Sequence, residues 1–213
     1  DLEFIDMELA ELIREGEHLH QDFKFRVDDQ RKIAKTLCAF ANTDGGRLLI
    51  GVKDNGKVAG IDPEEEYHMI DGAASLFCSP PLTFTSKIWQ DEHKLVLEIQ
   101  VDKSENMPHY ALDDDGKWKS YIRVDDNTCL VGKIQLKVWK EKKRIGSRPE
   151  KLDDESLNLL RLIENTPGCS LSKLYKLSGL PLKKVDQLLV LFICWNLVQI
   201  EYSEDKSWFV CVD

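Results

Sequence analysis

Apolar residues recur at helical spacing through Ile33, Leu37 and Phe40, and the run stops abruptly at Asn42-Thr43-Asp44-Gly45-Gly46. Paired glycines admit positive φ and short polar side chains suit a cap, so the pattern predicts an amphipathic helix ended by a glycine elbow. Leu48-Leu49-Ile50-Gly51-Val52 follows, a short apolar run without alternation that suits a strand buried on both faces. Asp54-Asn55-Gly56-Lys57 predicts a type I′ hairpin turn, with residues 58–61 as the return strand.

The remaining elements are placed around this stretch. Met7, Leu9, Leu12 and Ile13 predict a helix over 6–14 that Gly16 ends. Residues 20–27 alternate as a strand, with Phe23 and Phe25 on one face and Asp22, Lys24 and Arg26 on the other. Asp28 and Asp29 cap the central helix. Pro63 and three glutamates open a helix that runs to about residue 77 before Pro80-Pro81. Hairpins are expected at 82–89 with 95–101, and at 109–112 with 118–124 around Asp113-Asp114-Asp115-Gly116. Thr128 is expected to cap a helix running to residue 144.

Gly, Ser and Pro then cluster, which predicts a linker at 146–151 between a domain spanning 1–145 and a second spanning 152–213. The second domain reads as helices over 153–163, 170–177 and 182–195, then two strands around residues 203–206. Three helices followed by a hairpin is the order of a winged helix-turn-helix. Residues 188–195 are apolar on every face. That third helix is therefore expected either to be clamped between the domains or to lie in a homodimer interface.

Composition narrows the class. With 42% hydrophobic and 31% charged residues the chain is a soluble globular protein. No apolar run is long enough to span a membrane. The opening DLEFIDMELAEL carries neither the basic nor the apolar region of a signal peptide. Six scattered cysteines without a CxxC pair read as reduced thiols, so the expected location is cytoplasmic. A net charge of −9 excludes a surface that wraps nucleic acid indiscriminately, but it leaves room for a local basic patch. Residues 133–151 form such a patch, whereas the segment from 152 onward is slightly acidic.

Three blocks carry a family resemblance: Glu17-x4-Asp22-Phe23-Lys24; Ala39-Phe40-Ala41-Asn42-Thr43-Asp44-Gly45-Gly46 running on to Gly51-Val52-Lys53-Asp54; and Tyr121-Ile122-Arg123. In order and spacing they resemble the Schlafen/AlbA-like domain family, over about two thirds of the chain. The resemblance implies an α/β (α+β) domain with a mixed sheet, followed here by a small winged helix-turn-helix domain. It also implies nucleic-acid binding, with DNA or RNA as partner, in a transcriptional regulator of the bacterial type.

Two other functions stand beside that one. Hard divalent cations need converging carboxylate oxygens. In some vertebrate Schlafen proteins, acidic residues matching Glu17, Asp22 and Asp54 form an RNA-cutting site, so the resemblance implies a nuclease using Mg²⁺ or Mn²⁺. The second position is Asp here rather than the more usual Glu, one methylene shorter. The same three residues also read as surface or ion-paired carboxylates and a turn former. A non-catalytic, oligomerising interaction module is the remaining alternative.

Among binding residues, Asn42, Asp44, Gly45 and Gly46 read first as a helix cap with tight packing, and second as a backbone cradle for a phosphate or nucleotide. Lys24 belongs to the first family block, and Arg123 reads equally as a phosphate contact or as half of a structural ion pair. Lys133, Lys137 and Lys140 lie on the basic helix. Lys173, Lys183, Lys184 and Gln187 are the types expected on the groove-reading pair of helices. His18 and His20 read as exposed strand residues rather than metal ligands.

Overall fold

The structure, a computed structural model, describes the backbone of residues 2–213 and the side chains from residue 8 onward. The Met7 position of the first helix pattern lies outside the described side chains. The chain divides into two compact units, Asp1–Leu130 and Val131–Asp213.

The first unit runs α1 (Leu2–Arg14), β1 (Gln21–Lys24), α2 (Gln30–Asn42), β2 (Gly46–Ile50), α3 (Pro63–Leu76), β3 (Cys78–Ser79), β4 (Thr85–Asp91), β5 (Lys94–Val101), β6 (Tyr110–Leu112), β7 (Trp118–Val124) and β8 (Asn127–Leu130). Two four-stranded sheets result, in the orders β1-β2-β5-β4 and β3-β6-β7-β8. Among the described residues only β1 and β2 pair in parallel; the other strand pairs are antiparallel. The first sheet is therefore mixed, as expected.

Helix α2 is the core of this unit. Asp29 caps it by accepting from the Arg31 amide, and every residue from Thr36 to Asn42 is buried. Leu37, Phe40 and their neighbours pack with Leu48 and Ile50 of β2, Leu97 and Ile99 of β5, Ile70 and Ala73 of α3, and Ala111 and Tyr121 of the second sheet. Leu49 points to the opposite face of β2, where Leu9, Phe23, Val52, Trp89 and Val96 form a separate cluster flanked by Leu12 and Ile13 of α1. β2 is thus buried on both faces, which is why its sequence is apolar without alternation. Each buried Leu, Ile or Phe side chain contributes about 1.5–3 kcal/mol.

The elbow after α2 has a packing cause. Gly45 adopts φ +76° and donates its N–H to Phe40 O at 2.8 Å, an αL closure of the helix. A Cβ on Gly46 would stand 2.4 Å from the Phe40 ring. Asn42 is buried and ties α2 to the second sheet. Its Nδ2 donates to His109 O, Ser120 Oγ and Tyr121 O at 2.9–3.0 Å, and its Oδ1 accepts from His109 N at 2.8 Å.

Local expectations fail at several points. In the 53–57 hairpin Asn55 is not at positive φ, whereas Gly56 is, at +81°. Gly56 N–H bonds Lys53 O, and Lys53 N–H bonds Lys57 O, so the loop holds three residues and closes on a glycine bulge instead of a type I′ turn. The expected return strand reduces to a single bridge, Val52 with Val58, because the Ala59 and Gly60 amides turn back to Gly51 O. Strand β1 ends at Lys24, so Phe25 leaves the Phe23 face and is 48% exposed. Thr128 lies in β8 and caps nothing; Gly132 precedes the following helix.

The second unit contains α4 (Lys133–Glu141) with a 3₁₀ turn at Lys142–Arg144, α5 (Asp154–Glu164), α6 (Leu171–Leu177), α7 (Leu182–Cys194), β9 (Val198–Tyr202) and β10 (Ser207–Cys211). Strands β9 and β10 form an antiparallel hairpin. Asp153 and Ser170 cap α5 and α6 through the Ser156 and Lys173 amides.

The boundary differs from the expected one at 145. Ile134 and Val138 of α4 are buried with Leu159, Leu174, Val185, Leu188, Leu189, Phe192 and Phe209, so the apolar stripe of α4 belongs to this second core. The Gly/Ser/Pro segment expected to separate two domains instead connects α4 to α5 inside one unit, and Trp195 Nε1 donates back to Gly146 O at 2.9 Å. Helix α4 thus packs its apolar stripe with the apolar residues of α7.

Candidate functional site

One cleft of the first unit, with a volume of about 550 Å³, gathers residues of all three family blocks, among them the carboxylates Glu17, Asp22 and Asp54. Glu17 comes from the loop after α1, Asp22 and Lys24 from β1, Lys32, Lys35 and Thr36 from α2, and Asp54 from the glycine-bulge turn. Tyr121 and Arg123 come from β7, and Asp126, Asn127 and Thr128 from the β7–β8 turn and β8. The short strand β1 places Asp22 and Lys24 there by register, because residues two apart share a face.

Glu17 and Asp22 form the chemical centre of the cleft. The Phe23 amide donates to Glu17 Oε1 at 3.1 Å and to Asp22 Oδ1 at 3.0 Å. A hydrogen bond to Asp22, burial and the repulsion of the Asp22 charge together push the Glu17 carboxyl up to about 7. Burial also acts to raise Asp22, but the Glu17 hydrogen bond, Lys24 and Arg123 overcome it and hold Asp22 below the ordinary carboxylate value. Lys24 Nζ lies 3.2 Å and Arg123 Nη1 3.8 Å from Asp22 Oδ2. The two carboxyls thus share one proton, with Asp22 the ionised partner.

Asp54 is exposed in its turn. Among the described residues no group of three His, Cys, Asp or Glu side chains is placed to hold a metal ion. Glu17, Asp22 and Asp54 therefore share a cleft without converging on one point, and the residues as arranged do not fit the expected Mg²⁺ or Mn²⁺ triad.

Arg123 is held by several partners inside the fold. It is 4% exposed, and its guanidinium donates to His18 O, Gln21 O and Thr128 Oγ1 at 3.1–3.3 Å. It also lies 5.2 Å from the Phe40 ring centre. Its donors hold the loop before β1 against β7 as an internal brace, and the side chain also lines the cleft. At the elbow Asn42 is buried and Gly45 donates its N–H to Phe40 O, while Asp44 pairs at the surface with Lys103 at 3.5 Å. Asp44, Gly45 and Gly46 also line a separate cavity with His20, Arg47 and Gln100. His18 bonds Glu15, and His20 lies near Gly45 O; both precede β1 instead of lying in it.

In the second unit Asp186 reorganises the basic candidates. It is 3% exposed and receives Lys133 at 2.9 Å, Lys137 at 3.2 Å and the Tyr175 hydroxyl. Burial acts to raise its carboxyl, but Tyr175, Lys133 and Lys137 prevail and keep it ionised below the usual range. Lys133 and Lys137 thus serve as counter-ions to a buried charge, while Lys140 remains exposed. Lys173, Lys183 and Gln187 are exposed, and Lys184 pairs with Glu155 at 3.5 Å.

Sequence reasoning missed Lys32, Lys35, Thr36 and the 126–128 turn. The first two were visible in principle, since Lys32 and Lys35 lie three apart on the polar stripe of α2. The turn carries no local signal, because only the pairing of β7 with β8 brings it to β1. Asp186 sits within an apolar helix, where a lone carboxylate calls for a partner.

Among solved structures, the chain is similar to the solution NMR structure of the N-terminal domain of a RecG-related protein from Nitrosomonas europaea, at 22% identity and a TM-score of 0.43 over 59% of this chain and 94% of that one. A crystal structure of a Corynebacterium diphtheriae protein matches at 18% identity and a TM-score of 0.43, covering 78% of this chain and 31% of that one. The family model described as Schlafen, AlbA_2 matches residues 17–131, a span that begins at Glu17 and contains every residue of the cleft. The chain belongs to the Schlafen, AlbA_2 family.

Proposed function

We propose that the protein binds nucleic acid through the cleft of its first unit and acts as a DNA-binding regulator. The observation that carries this reading is the set of basic side chains lining a cleft within the family segment: Lys24, Lys32 and Lys35. Lys32 is exposed and Lys35 half-buried, 3.4 Å from Asp113, so both ammonium groups are within reach of a phosphate. The Glu17–Asp22 pair keeps one of its two charges neutral below about pH 7, which lowers the repulsion a phosphate would meet. The chain's net charge of −9 makes a confined contact more reasonable than an extended one.

In the second unit, the order α5, α6, α7 and then the β9–β10 hairpin, with α4 before it, supports the reading of a winged helix that contacts duplex. Exposed Lys173, Lys183 and Gln187 on α6 and α7 are the types that meet phosphates and base edges.

The test is binding of fluorescein-labelled DNA and RNA measured by anisotropy across a salt series. Lys32→Ala/Lys35→Ala should weaken binding roughly tenfold and flatten the salt slope by about one to two units. Unchanged binding in that variant would overturn the cleft reading. For the second unit, Lys183→Ala/Lys184→Ala should weaken duplex binding; no change would remove the winged helix from DNA contact.

A metal-dependent nuclease is the second reading, favoured by one observation, the presence of Glu17, Asp22 and Asp54 in one cleft with lysines. It requires a rearrangement that brings Asp54 to the pair. Cleavage of RNA or DNA that needs Mn²⁺ or Mg²⁺ and disappears in Asp54→Ala would support it, and no cutting under either metal would dispose of it.

A further inference from the structure

Phe25 stands out among the exposed apolar side chains. Alternation along residues 20–27 assigns it to the buried Phe23 face, yet it is 48% exposed because β1 ends one residue earlier. A single exposed apolar residue is ordinary; the surroundings of this one are not. The Arg26 guanidinium lies 5.8 Å from the ring centre and the Lys53 ammonium 5.6 Å. Its chain neighbour Lys24 lines the cleft, and so does Asp54, the neighbour of Lys53. An aromatic ring flanked by two cations thus follows directly in the chain on Lys24, which lines the cleft together with Lys32 and Lys35.

We propose that Phe25 is a stacking platform for an unpaired base, and that the ligand of the first unit is single-stranded nucleic acid. Stacking needs an accessible π face beside groups that hold the backbone, and it is tolerant of sequence because every base has such a face. Both cations sit near the outer limit of cation–π contact, so a base can take up the exposed part of the ring while the cations turn to the phosphates on either side. Arg26 is already steadied through Nε by Asp28 at 2.7 Å. Bases within a duplex present no free face, so the ring discriminates between the two forms. The inference rests on the cleft reading above.

The experiment measures anisotropy of fluorescein-labelled oligo-dT, oligo-U, an abasic strand and an oligo-dA·dT duplex, each about 15 nucleotides long. Wild type, Phe25→Ala, Phe25→Trp and Lys32→Ala/Lys35→Ala are compared. Phe25→Ala should bind both base-bearing strands roughly tenfold more weakly and leave the abasic strand and the duplex unchanged, while Phe25→Trp restores strand binding. The oligo-dT and oligo-U arms separate DNA from RNA as the strand preferred. Because Phe25 is exposed, its variants should melt as wild type does. Strand binding by Phe25→Ala within twofold of wild type, with the lysine variant weakened, overturns this inference alone. Equal losses on strand, abasic strand and duplex overturn the stacking role. Absence of any binding by wild type overturns both this inference and the cleft reading.

Discussion

The Phe23 amide faces two carboxylates, Glu17 and Asp22, and the proton they share makes this site sensitive to pH. A carboxyl raised from 4.5 to about 7 holds a proton in the folded chain that the unfolded chain has released. Its contribution to stability is therefore full below about pH 4.5 and fades as pH rises to 7. Asp22, lowered from 3.8, has the opposite sign: its contribution is present above 3.8 and is lost on acidification below that. Urea midpoints of wild type and Glu17→Gln measured between pH 5 and 8 should diverge, wild type declining more steeply. Nucleic-acid affinity should fall through the same interval in wild type as the cleft gains a negative charge, and hold steadier in Glu17→Gln. Parallel profiles would show that the pair does not share a proton. Asn42 illustrates the other kind of residue. Asn42→Ala removes the hydrogen bonds that tie α2 to the second sheet and leaves the buried His109 N–H without its acceptor, so it should destabilise by roughly 2–4 kcal/mol in urea unfolding.

Two elements decide more than their length suggests. The elbow between α2 and β2 needs glycine at both positions, Gly45 for its positive φ and Gly46 for the Phe40 ring that covers it. Gly46→Ala should lower stability by about 1–3 kcal/mol through overpacking, measured by thermal or urea unfolding. Helix α4 is the second such element, since its apolar stripe completes the second core and its lysines satisfy Asp186. Ile134→Ala should cost about 2–4 kcal/mol in the unfolding of the second unit and leave the first unit's transition in place, as separate probes of Trp89 and Trp195 would reveal.

At the scale of the whole molecule, the chain divides into two compact units between Leu130 and Val131. A fragment of residues 131–213 should therefore unfold cooperatively, whereas one of residues 152–213, lacking α4, exposes the apolar face of α7 and should aggregate or melt without a transition. Circular dichroism of the two fragments distinguishes this division from one at residue 145. Among the described residues no helix is long and apolar enough to cross a membrane.

What the amino-acid sequence determined by itself is whatever depends on neighbours along the chain. The amphipathic α2, the glycine elbow, the doubly buried β2, the hairpin of β4 and β5, and the helix order of the second unit follow from periodicity and turn chemistry, and the three blocks were enough to point to the family. Tertiary structure alone decided which polar groups face inward. Arg123, Asn42 and Asp186 are polar residues whose partners lie on other elements, and sequence reading cannot tell an internal brace from a ligand contact when the partner is distant in the chain. It also moved α4 to the other core and freed Phe25 from the sheet, because a stripe's destination and a strand's last residue depend on the surfaces available to pair with them.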